Sequence, residues 1–249
     1  MNRQLAGYLA LVGGYVNSVG FVLIGTFTSH ATGNVGRFAN DVATAQLHAA
    51  VAALAMLLAF FGGAFASSML LESNFVGQTT RAYGFALTSE ACLLALFTVE
   101  SAVVGAEHPR WRDTEAAVLC AAMGVQNSLV TRLSGAVVRT THLTGVLTDL
   151  GIEGARWFRW WRSRLSERLH TKLSLGRNPA ERPSAPKVAL LGTIAGAFLL
   201  GAVLGSLAGV TLRHVAMVPP AAALLVGAVY AFRTREAPSL PPPSPASRR

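Results

Sequence analysis

Gly13 to Asn34 reads GGYVNSVGFVLIGTFTSHATGN. An apolar run carries an Asn17-Ser18 pair in its middle, reaches Ile24, and then breaks into the small polar residues His30-Ala31-Thr32-Gly33-Asn34. A helix inside a bilayer must satisfy its backbone groups internally, so such a break is costly unless packed protein or a wet cavity surrounds it. A related pattern returns at Gln126-Asn127-Ser128 and, after a Gly/Thr-containing segment, at His142-Leu143-Thr144-Gly145. Two copies of one unusual design predict a duplicated half-unit and a polar site within a polytopic membrane protein.

Composition points the same way. Of 249 residues, 52% are apolar and only 13% charged, against about 25% charged in soluble domains; the mean hydropathy is +0.44. A soluble helical protein would need polar faces on its surface helices, and most of the long Ala/Leu/Val/Gly runs lack one. The net charge is +9, but the basic residues gather between apolar runs, where they act as topology signals and lipid-headgroup contacts. They are not read as a nucleic-acid surface. Cys92 and Cys120 fall inside predicted spans and read as small buried apolar residues; their spacing suggests neither a disulfide framework nor a metal site. The first apolar run lacks a basic leader and a clear cleavage site, and is read as a retained span.

The pattern predicts an all-α integral membrane protein of six transmembrane helices. The spans are Leu5–Ile24, Ala43–Leu71, Ala82–Val104, Ala116–Leu133, Val188–Leu212 and Val215–Phe232. Residues 1–235 form one membrane domain with halves 1–112 and 113–235, a basic amphipathic insert at 156–187, and a disordered Pro-rich tail at 236–249. Of the 21 basic residues, all but Arg37, Arg110, Arg112 and Arg213 fall in segments that share one side, which places both termini in the cytoplasm. Three spans per half is an odd number, so the second half starts from the opposite side. The result is a 3+3 inverted repeat, an arrangement that brings broken segments together near the midplane.

Candidate solute-binding residues are those of the repeated elements: Asn17, His30, Thr32, Gly33, Asn34, Asn127, His142, Thr144 and Gly145. The amides can coordinate a solute or bond a neighbouring helix. The Thr/Gly elements permit close backbone approach, and amide groups exposed at a half-helix start can hold an anion. Glu90 lies too deep in its span to reach water easily; it needs a partner, a proton or a wet cavity, and with His30 and His142 it is a candidate proton relay. Small residues at Gly62, Gly63, Gly196, Gly201, Gly205 and Gly209 are read as close-packing positions. Between Arg156 and Lys172, Trp157, Trp161, Leu165 and Leu169 recur every four residues. With Trp160, Arg159 and Arg162 they predict a helix lying on the cytoplasmic leaflet among anionic headgroups.

At Gly14-Tyr-Val-Asn-Ser-Val-Gly-Phe21 and Gly25-Thr-Phe-Thr-Ser-His-Ala-Thr-Gly-Asn34 the chain resembles the YoaK-like family, also called DUF1275, of bacterial inner-membrane proteins. Gly124-Val-Gln-Asn-Ser128 and His142-Leu-Thr-Gly145 carry the resemblance into the second half. The family pattern usually has Asp where this chain has Asn17, which removes a fixed negative charge. The resemblance implies a multi-pass protein of the inner membrane and no established reaction.

No nucleophile–base–acid set, phosphate loop, haem motif or CxxC is present, and the chain is not read as an enzyme; no cofactor and no metal are expected. The leading reading is a small-solute permease or exporter. The alternative is a non-transporting scaffold or sensor acting through the Trp/Arg helix. Expected partners are membrane lipids, a small solute and further copies of the chain.

Overall fold

A computed structural model describes residues 3–72, 79–104, 109–133, 143–169 and 183–234. The described chain is helical: α1 (Arg3–Ile24), α2 (Ala31–Ala43), α3 (Leu47–Glu72), α4 (Thr79–Val104), α5 (Pro109–Leu133), α6 (Leu143–Leu169), α7 (Ala185–Leu212), a 3-10 turn (Arg213–Met217) and α8 (Val218–Arg233). Five apolar stretches are long enough to cross a bilayer: α1, α3, most of α4, most of α5, and Ala185–Arg233, which joins α7 to α8 through the turn. The sixth predicted span is therefore α8, whose 16 residues rise about 24 Å.

Apolar side chains cover the outside as well as the inside. Val51, Leu58, Phe61, Phe65 and Met69 on α3 and Leu199, Val203, Leu207 and Val210 on α7 are all more than half exposed. Water would penalise so large a surface, whereas acyl chains solvate it. The main buried core is built from α1, α4, α5 and α8, with Leu9, Val16, Leu94, Phe97, Leu119, Met123 and Leu224 at its centre. Cys120 is buried as expected, but Cys92 lies on an exposed face. A lone thiol on an apolar helix costs little there.

Each half contributes one central helix and one flanking helix, and the flanking helix comes from the other half: α1 packs on α7, and α5 packs on α3. The contacts repeat residue for residue. A Cβ at Gly14 would fall 2.9 Å from the carbonyl carbon of Phe198 and 3.1 Å from Ala202 N; at Gly124 it would fall 3.0 Å from that of Phe60 and 2.9 Å from Ala64 N. In return, Gly201 lies against the Leu11 carbonyl and Gly63 against that of Ala121. Gly205 meets the Tyr15 carbonyl where Ser67 donates to the Val125 carbonyl at 3.4 Å. A shift of 110 positions carries each α1 member to its α5 counterpart, and 138 positions separate each α3 member from its α7 counterpart. Of the six glycines expected to mediate close packing, Gly63, Gly201, Gly205 and Gly209 do so, whereas Gly62 and Gly196 have nothing within 4 Å. They point away from the neighbouring helix.

One boundary differs from expectation. Ala43 ends α2 rather than opening the second span, which starts at Leu47 after Ala45 takes a left-handed conformation (φ 58°). The first part of the basic insert continues the 27-residue α6, which begins before it. His142, residues 170–182 of the insert and the 236–249 tail lie outside the described residues.

Candidate functional site

The break after α1 is a hairpin that folds back along α1. Gly25 takes φ +87°, a conformation that side chains disfavour, and it turns the chain back along α1. Ser29 then donates its backbone N–H and its hydroxyl to Asn17 Oδ1, both at 3.0 Å. Because α1 continues seven residues beyond Asn17, Ser29 lies about 10 Å back from the helix end. Phe21 and Phe27 stack with ring centroids 4.3 Å apart and pin the two arms of the hairpin together. From this depth α2 starts at Ala31 and runs back out along α3. Its N-cap residue, His30, makes no capping bond with its side chain, and no acidic residue occupies the first turn. Buried Asn34 and Asp41 keep it from reading as a surface helix, and Arg37 approaches Asp41 at 3.8 Å.

Two cavities meet at His30. The larger, about 500 Å³, lies between the start of α2, the middle of α3, the second half of α5 and the start of α6. Asn127, Ser128, Thr131 and Arg132 line it from α5, Ser68 from α3, Thr32 from α2 and Thr144 from α6. The Ser68 and Ser128 hydroxyls share one hydrogen bond at 2.8 Å, Thr131 donates to the Asn127 carbonyl at 2.7 Å, and Arg132 pairs with Glu72. The smaller cavity, about 400 Å³, is lined by Gly33, Asn34 and Arg37 of α2 and by the hairpin residues Ile24 to Phe27. His30 lines both.

The predicted site residues therefore divide. His30, Thr32, Asn127 and Thr144 converge on the larger cavity, and Gly33 and Asn34 on the smaller. Gly145 lines neither. Asn17 is buried and lines neither cavity, but it is bonded to Ser29, which lines the larger one. Glu90 is fully buried on α4; neither carboxylate oxygen has a hydrogen-bond partner, and it lines neither cavity. On α5, Gln126 donates to the Leu9 carbonyl at 2.7 Å, tying the two central helices together. Sequence reasoning missed Ser29 and Ser68. The Ser67-Ser68 pair in an otherwise apolar helix was the signal available for the second; nothing local marks the first. Among the described residues no group of three or more His, Cys, Asp or Glu comes together that could hold a metal ion.

On α6, Phe158 and Trp161 are exposed, Trp157 and Trp160 pack edge to face at 5.4 Å, and the Arg164 guanidinium sits 5.5 Å from the Trp160 ring centre. The helix is fastened to α7 by Glu153, whose side chain is 2% exposed and accepts from Lys187 at 2.9 Å and from Arg156 at 2.8 Å. The Lys187 hydrogen bond, with the charges of Lys187 and Arg156, holds the Glu153 carboxyl below its usual range.

Several long apolar helices packed as a bundle with apolar exteriors define a polytopic helical membrane protein. The chain matches the DUF1275 family, described as proteins of unknown function, over residues 5–230, and it belongs to that family. No curated protein and no solved structure matches it.

Proposed function

We propose that this chain is a small-solute permease of the bacterial inner membrane, with six crossings in a 3+3 inverted arrangement and both termini in the cytoplasm. Solute binds in the cavity at Asn127, and the two halves rock to expose it alternately. The duplicated packing of α1 on α7 and α5 on α3 supports the repeat, because it relates each central helix and its partner by constant offsets. The charge distribution supports the orientation.

The observation that carries the reading is that residues of both repeated elements line one cavity: His30 and Thr32 from the first, Asn127 and Thr144 from the second. Transporters built from inverted repeats form their solute site between such facing elements. Solute would pass His30, which separates the two cavities. The Trp/Arg face of α6 anchors the bundle to anionic headgroups on the cytoplasmic side.

The test is uptake of labelled solutes by proteoliposomes containing the purified chain. Asn127→Ala should abolish uptake while the protein still purifies as a folded species. Equal uptake by the variant and the parent chain would reject the site.

A further inference from the structure

We infer that the solute bound at Asn127 is a small anion bearing a carboxylate or phosphate group; this rests on the permease reading of the cavity. The lining offers donors and positive charge and, among the described residues, no carboxylate. Arg132 contributes a guanidinium, whose planar fork of N–H donors matches carboxylate and phosphate oxygens. Ser68 and Ser128 use one hydroxyl hydrogen between them, leaving the second for a ligand oxygen. The first turn of α2 enters the same space with no acidic side chain and no side-chain cap on its amides, so its partial positive charge adds to that of Arg132.

The passage beyond His30 repeats the bias. The smaller cavity is lined by Arg37, and again no described lining residue carries a negative charge. The acids that pair with the two arginines, Asp41 and Glu72, stand outside the linings. A cation would face a guanidinium in each cavity, with no carboxylate among the described lining residues. An anion would find a charge-assisted donor in each. At about 500 Å³ the larger space suits a solute of a few to a dozen heavy atoms.

The experiment measures thermal stability of the purified full chain in detergent against acetate, lactate, succinate and inorganic phosphate at constant ionic strength, with glycerol, erythritol and choline as neutral and cationic comparators. A ligand that binds the native state alone raises apparent stability in a saturable way. The expected result is saturation by at least one anion, weakened tenfold or more in Arg132→Gln. Glu72→Gln breaks the same ion pair but keeps the cation, so it should bind the anion as tightly as the parent or more tightly. Equal loss in both variants would show that the ion pair acts only as structure, and anion binding undiminished in Arg132→Gln would remove Arg132 from recognition; either overturns the inference. If glycerol, erythritol or choline binds with an affinity lost in Asn127→Ala but unchanged in Arg132→Gln, the anion assignment falls and the permease reading stands. If no solute shows binding sensitive to Asn127→Ala, both fall.

Discussion

Gly62 and Gly63 are neighbours on α3 with opposite surroundings, and replacing each by Ala separates helix packing from helix propensity. A Cβ at Gly62 would meet nothing within 4 Å, whereas one at Gly63 would press on the Ala121 carbonyl, 2.8 Å from its carbon. Carbon atoms prefer separations of about 3.5–4.0 Å, so Gly63→Ala requires α3 and α5 to part by roughly 1 Å. The obstructing atoms belong to backbone in the middle of a helix and cannot rotate away. Overpacking of this kind costs about 1–3 kcal/mol. Both variants gain the same propensity, up to about 1 kcal/mol, so the difference between them isolates the overpacking. At about 2–4 °C per kcal/mol for a chain of this size, Gly63→Ala should melt roughly 2–12 °C below Gly62→Ala. The assay is thermal unfolding of the two purified variants in one detergent. Gly124→Ala and Gly14→Ala, which meet the partner backbone in the same way, should behave like Gly63→Ala. Equal melting of Gly62→Ala and Gly63→Ala would refute the close approach of α3 and α5.

Other perturbations test separate parts of the structure. Asn17→Leu leaves the Ser29 N–H without its acceptor and should cost about 1–3 kcal/mol, whereas Asn17→Asp, the residue usual in the family pattern, keeps both bonds and should melt near the parent chain; chemical or thermal unfolding distinguishes them. Glu90→Gln preserves shape at a position where neither oxygen is bonded, so its melting temperature should not fall, and a drop of several degrees would reveal an ionic partner. Glu153 titrates below its ordinary value because Lys187 and Arg156 favour the charged form. Its contribution to docking α6 on α7 is complete above the unfolded carboxylate value, near 4.3, and is lost as pH falls through the lower folded value. Tryptophan emission, dominated by Trp157, Trp160 and Trp161, should change across that acidic window and stay flat in Glu153→Gln.

Long apolar runs made the spans legible, because only a helix or a closed barrel can cross lipid. The paired motifs at Asn17 and Asn127 lie 110 positions apart, the offset at which the close contacts of α1 recur on α5, and residues of both broken elements do meet at one cavity. What could not be read was which way each helix faces. On α3 apolar side chains point to lipid and protein alike, so periodicity does not separate Gly62 from Gly63; on α4 and α5 it does not separate the exposed Cys92 from the buried Cys120. The helix at Ala31–Ala43 was hidden by its glycines, Asn34 and Asp41, which suit a loop in water but here are stabilised against α3. Arg132 could be read from its place beside the second repeated element, whereas Ser68, in an apolar run 64 positions away, reaches the cavity only through tertiary packing.

The central claim is that the cavity lined by Asn127 and His30 is the solute path and opens to each side of the membrane in turn. It is tested by labelling Asn127→Cys, in a Cys92→Ala, Cys120→Ala background, with a membrane-impermeant maleimide applied to one face of sealed vesicles and then to the other. The account predicts labelling from both faces. Labelling from one face only, or from neither, would contradict it.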